Sequence, residues 1–188
     1  MTQILQTPIV PGPVNTLSGT PLPLVALPQS ELLSVHQDDI PVLVDAFGPG
    51  IHFQPLRLDL ERNEWVAIAR FDPGTSMPLH YHTGPVDLWT LQGRWNYVEY
   101  PDQPQTAGSY LYEPGGSVHT LVVPADNTEQ TVMIVRVIGA LVNFNEDATF
   151  NSLLDTMTLR HVSDTLSAER GLETRFIDGG IAGVAVSS

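Results

Sequence analysis

Gly74-Thr75-Ser76-Met77-Pro78-Leu79-His80-Tyr81-His82, followed further along by Pro114-Gly115-Gly116-Ser117-Val118-His119, decides how this chain reads. In an extended strand residues i and i+2 share a face, so His80 and His82 project their imidazoles side by side. A third imidazole, His119 from a neighbouring strand, completes one face of a metal's coordination sphere. Three protein ligands leave positions open for water, substrate or dioxygen. The pattern therefore predicts a catalytic metal site rather than a closed structural one.

Outward from this stretch, the chain breaks into short apolar runs separated by turn residues. The runs are 42–46, 52–59, 64–71, 88–91, 94–100, 109–113, 120–123 and 130–143. Gly48-Pro49-Gly50, Asp72-Pro73-Gly74, Gly84-Pro85 and Pro114-Gly115-Gly116 are among the punctuation. Many short strands at this spacing predict a β-sandwich or barrel. The expected organisation is an N-terminal arm over 1–37, a barrel over 38–145 and a tail over 146–188. The arm is rich in proline, which fixes φ and removes backbone donors, so it reads as extended or partly disordered. Ser30 is placed to cap a single helical turn. The tail from Asn151 to Gly171 approaches a helical period, with Gly171 as its C-cap. Gly179 to Val186 reads as an added edge strand or a frayed end.

Composition narrows the chemistry. The 188 residues include no cysteine, which removes disulfides, thiolate metal sites and cysteine nucleophiles. All eight basic residues are arginine, so Schiff-base chemistry and a P-loop lysine are absent. The net charge of −13 opposes nucleic-acid binding, which needs basic patches. No apolar run approaches the ~18 residues that span a bilayer. Without a basic n-region and apolar h-region at the start, the expected location is the cytoplasm. Ser117 precedes His119 closely, but no nucleophile elbow surrounds it.

Gly74-x5-His80-x-His82 with Gly93, then Gly108-x5-Pro114-x-Gly116-x2-His119, resemble the two motifs of the cupin superfamily. That resemblance implies an all-β fold: a cupin double-stranded β-helix, or jelly-roll barrel, with an extended N-terminal arm and a short C-terminal helical segment. Many cupins carry a carboxylate ligand a few residues after the second histidine. Val86 holds that slot by the Gly93 spacing, and Asp87 holds it if one extra residue is allowed. Tyr81 to Val86, Thr90 to Trp95, Ala107 to Tyr110, Glu113 to Pro124 and Asp59-Leu60-Glu61-Arg62 look like the 2,4'-dihydroxyacetophenone dioxygenase group. Related patterns occur in β-diketone-cleaving cupins and in the zinc-binding sensor domain of ChrR-type anti-sigma factors.

What this implies is a non-haem Fe(II) dioxygenase that cleaves a carbon–carbon bond of a hydroxylated aryl ketone with O2. The metal would sit on His80, His82 and His119. Imidazole alone accepts Zn, Ni or Cu as readily. A zinc sensor is the non-enzymatic alternative. Glu113 is the candidate acid/base, since related three-histidine cupins carry a carboxylate there; a solvated turn residue is the other reading. Tyr97, Trp89, Trp95 and Arg94 are candidates to line the substrate pocket, against core packing for the aromatics and a surface position for Arg94. His36, His52 and His161 are expected to be structural or exposed. The expected partners are an aromatic ketone and O2, with neither nucleic acid nor membrane, in a homodimer or homotetramer.

Overall fold

The computed structural model describes residues 13–25 and 33–179, and the chain divides after His36 into two units. In the first, β1 (Pro13–Asn15) and β2 (Pro21–Val25) form an antiparallel hairpin. The sequence predicted no strand in this arm. Pro21 and Pro23 alternate, so their missing donors fall on one edge of a two-stranded ribbon, where no third strand needs them. The turn expected around Ser30 and the stretch from 180 lie outside the described residues.

The second unit follows the predicted strand pattern closely. Its strands in chain order are β3 (Ile51–Asp59), β4 (Glu64–Phe71), β5 (His80–His82), β6 (Val86–Gln92), β7 (Arg94–Tyr97), β8 (Gln105–Thr106) and β9 (Tyr110–Glu113). They continue with β10 (Val118–His119), β11 (Leu121–Val122), β12 (Thr131–Ile138), β13 (Leu141–Phe144), β14 (Phe150–Leu154) and, after helix α1 (Thr156–Arg170), β15 (Ile177–Gly179). One sheet runs β15-β3-β4-β12-β6-β9. It faces a four-stranded sheet, β10-β5-β13-β14, and a three-stranded one, β11-β7-β8, in a double-sheet jelly-roll barrel. The inward residues alternate as a half-buried strand requires: Met133, Val135 and Val137 are buried on β12, while Ile134 and Arg136 face out. Leu58, Trp65, Val86, Leu88, Trp95 and Leu141 meet them in one apolar core.

Beside small shifts, such as a strand over Arg94–Tyr97 where 94–100 was expected and an unpredicted short strand at Gln105–Thr106, three differences from the sequence reading change the course of the chain. Residues 130–143 form two strands, because the chain switches sheets at Gly139. There φ is +93°, and a Cβ would lie 2.4 Å from Thr83 Oγ1, so glycine is required. Phe150–Leu154 pairs with β13 instead of opening the helix, which starts after the N-cap Asp155. The Asp155 carboxylate accepts from the Thr158 N–H at 2.8 Å. The far end is as expected, with Gly171 left-handed at the C-cap. Residues 42–46 make isolated bridges only, since the backbone turns over at Asp45. The motif glycines Gly74, Gly93 and Gly116 all have positive φ, a conformation glycine adopts at no steric cost. Among the described residues no helix is long and apolar enough to cross a membrane.

Candidate metal centre

β5 is the hub of the site. Its alternation turns His80 and His82 inward, and β10 pairs antiparallel with it so that His119 lies opposite His80. On the other side β13 sets Leu141 against His82 and Asn143 against His80. The turn before β10 is tied back by the Gly116 N–H, which donates to the His82 carbonyl at 2.7 Å. All three imidazoles are buried, and their ligating nitrogens lie within 4.8 Å of one another. Ring centroids are 5.2 Å apart for His80–His82, 4.7 Å for His80–His119 and 5.4 Å for His82–His119.

Hydrogen bonds orient the rings. His80 Nδ1–H donates to the Pro78 carbonyl at 2.8 Å, which leaves its Nε2 lone pair for the site. Glu113 projects from the end of β9, its Oε2 at 3.2 Å from His82 Nε2 and 3.3 Å from His119 Nε2. The Tyr97 hydroxyl donates to the other carboxylate oxygen. Burial is the first cause of every shift here. It depresses the histidines, His82 to about 3 and His119 to about 4, with repulsion between the imidazoles adding to it. It lifts Glu113 to about 7 against the opposing Tyr97 hydrogen bond, and it lifts Tyr97 well above its ordinary value.

These residues fit a divalent cation. The imidazoles are neutral at physiological pH, so their lone pairs are available. His119 Nε2 and Glu113 Oε2 are buried without a hydrogen-bond partner. Such orphaned atoms are costly in a folded core, and a cation between them satisfies both. His80, His82 and His119 can hold it, and Glu113 is within reach as a carboxylate donor.

His80, His82, Tyr97 and Glu113 also line a chamber inside the barrel. The rest of its wall is almost wholly apolar: Phe47, Phe53, Trp65, Met77, Leu154 and Leu159 among others. A second, more polar cleft borders Tyr97, Glu113 and His119 and includes Tyr112 and Ser117.

Of the sequence's pocket candidates, Tyr97 lines the chamber. Trp95 is buried behind it, ring edge toward Tyr97 at 5.0 Å, with its indole N–H donating to Thr90 Oγ1. Trp89 and Arg94 are corrections. Trp89 is 40% exposed and packs on Tyr110 outside the barrel, and Arg94 pairs with Asp126 on the surface. Strand parity explains both, since Val86, Leu88 and Thr90 take the inward positions of β6, and Trp95 and Tyr97 those of β7. Val86, not Asp87, faces the chamber; Asp87 turns outward to Arg136 and the Tyr110 hydroxyl. His161 is exposed on α1 and His36 is exposed in the first unit, but His52 lines the chamber wall. The sequence reading missed Phe47, Phe53 and Trp65. Trp65 shares its inward parity with the buried Ala67 on β4, a signal the sequence carried; Phe47 sits in a loop and gave none.

Residues 32–142, more than half of the chain, match the ChrR cupin-like domain family, and the chain belongs to that family. A protein of unknown function with a cupin-like fold from Ralstonia eutropha JMP134 is 38% identical, with a TM-score of 0.78 over 86% of this chain and 100% of that one. An RmlC-like cupin from the same organism is 23% identical, with a TM-score of 0.70 over 76% of this chain and 90% of the other. An acetylacetone dioxygenase from Acinetobacter johnsonii shares the fold at 19% identity and a TM-score of 0.60, over 73% and 93% of the two chains. No curated protein matches the sequence.

Proposed function

We propose that this protein is a cupin dioxygenase that holds Fe(II) on His80, His82 and His119. It cleaves the bond between the carbonyl and hydroxymethyl carbons of a hydroxylated aryl ketone such as 2,4'-dihydroxyacetophenone. One ketone and one O2 would give one aryl carboxylic acid and one formic acid, which balances all atoms. The observation that carries this reading is the buried set of neutral histidines, with Glu113 against it, at the wall of an apolar chamber. The acetylacetone dioxygenase with this fold and the motifs of the aryl-ketone group support it.

Bound Fe(II) would supply Lewis acidity toward the ketone oxygens and the redox capacity to use dioxygen. The chain's own residues do the rest. Glu113, buried against the histidine nitrogens at the chamber wall, is placed to take the proton an α-hydroxyketone loses as it becomes an anion. Tyr97 holds the carboxylate at the histidine nitrogens. The apolar wall excludes water and strengthens each electrostatic contact inside.

One observation favours a second reading. With Glu113 added, the donor set is three histidines and a carboxylate, which also suits a non-catalytic zinc site. Oxygen uptake by anaerobically Fe(II)-loaded protein separates the two. Uptake matching the loss of 2,4'-dihydroxyacetophenone, absent from zinc-loaded protein, is expected. Retained metal with no uptake on α-hydroxyketones or β-diketones would move the assignment to zinc.

A further inference from the structure

The loop before β3, Asp45-Ala46-Phe47-Gly48-Pro49-Gly50, is the most constrained segment beside the chamber. Asp45 sits at φ +52°, a conformation that L side chains rarely adopt. Strain of this kind persists only where surroundings over-determine it, and it concentrates at functional sites. Here the determinant is His52, buried on β3. Its Nδ1 accepts from the Asp45 N–H at 3.0 Å, so the ring proton lies on Nε2, 3.3 Å from Asp72 Oδ1. Gln130 donates to the same Asp72 oxygen at 2.8 Å. The loop is closed twice more: the Gly50 N–H donates to Asp45 Oδ1 at 2.7 Å, and the Asp72 N–H to the Gly50 carbonyl at 2.9 Å. A Cβ on Gly50 would meet Thr75 Oγ1 at 2.6 Å, so the loop has no room to shift toward β4's end.

What this rigid loop delivers is the half-buried Phe47 ring to the chamber wall. Phe47 meets Phe53 edge-to-face at 5.3 Å, and Phe53 meets Trp65 at 6.3 Å. Three rings thus stand in the same chamber as His80 and His82. Edge-to-face stacks present both ring faces and ring edges, which suits a flat aromatic guest more than a puckered aliphatic one.

We infer that Phe47, held by His52, is the specificity-determining residue of the chamber and selects ligands with an aryl body. The inference rests on the reading that this chamber receives the substrate. Binding of 4'-hydroxyacetophenone, which lacks the cleavable hydroxymethyl group, and of its saturated counterpart 4-hydroxycyclohexyl methyl ketone tests it on metal-loaded full-length protein by calorimetry. Wild type should prefer the aryl ketone. Phe47→Leu should reduce that preference about ten-fold, with Phe47→Tyr keeping it. His52→Gln, a change to a positioning residue, should lower the same ratio with metal content unchanged. An unchanged ratio in Phe47→Leu, equal weakening of both ligands, or no binding of either to wild type overturns the inference. Aryl-selective binding without turnover would instead count against the dioxygenase reading and leave Phe47 its role.

Discussion

The Tyr97 ring lies flat on the His119 imidazole, centroids 4.0 Å apart and planes 22° from parallel. The same side chain donates its hydroxyl to Glu113, so one tyrosine fixes both an imidazole of the histidine cluster and the carboxylate beside it. Tyr97→Phe keeps the stack and removes only the hydroxyl. It should leave the thermal midpoint within a few degrees and cut metal affinity or turnover by ~10–100-fold, the usual cost of losing a hydrogen bond behind the ligands. Titration with Fe(II) under anaerobic conditions measures it, and an unchanged affinity and rate would refute the role.

Glu113 offers a pH test on metal-free protein. Burial raises its carboxyl from 4.5 to about 7, so the folded chain keeps a proton that the unfolded chain has already lost. Stability from this group is full below 4.5 and is lost as pH rises through 7. Glu113→Gln should therefore melt several degrees above wild type at pH 8, on a scale of ~2–4 °C per kcal/mol for a chain this size. The gap should close near pH 4.5. The depressed histidines oppose this trend in both proteins. A gap that does not vary with pH would sink the account.

His82→Ala removes one of the three rings of the cluster. Metal analysis after gel filtration should fall from stoichiometric to near zero, and oxygen uptake should vanish with it. The fold should survive, since a neutral buried ring costs no unpaired charge when deleted. Retention of metal by this variant would mean that the three histidines are not the ligand set.

Asp87→Asn should leave metal content untouched, because Asp87 faces Arg136 and Tyr110 rather than the chamber. Loss of one half-exposed ion pair is worth ~1 kcal/mol or less, so differential scanning calorimetry should show a small shift. Loss of metal would restore Asp87 to the coordination sphere.

Much of the centre was legible in the sequence because its signals are local. The i, i+2 alternation that pairs His80 with His82 needs only a strand, and Gly171 needs only a helix to cap. The break at Gly139 was not legible, since what forces it is Thr83, distant in sequence. Trp89 and Arg94 were misplaced by weighing residue type above parity, although the apolar run Val86, Leu88 on β6 already assigned the inward face. Glu113 was found through its place in a motif, but its contact with two histidines depends on the turn over 114–117 that carries the chain from the sheet of β9 to that of β10. Phe47 lies in a loop whose shape is set by His52 and Asp72, partners no periodicity reveals.

Leu154 on β14 and Leu159 on α1 both line the chamber, yet the family match ends at residue 142. Part of the chamber wall is thus supplied by a stretch of chain separate from the segment that carries the three histidines. The lining of the chamber can change in that stretch while the histidines stay as they are. The same partition makes the tail, rather than the histidine motifs, the place where chambers built on one histidine set can diverge in shape.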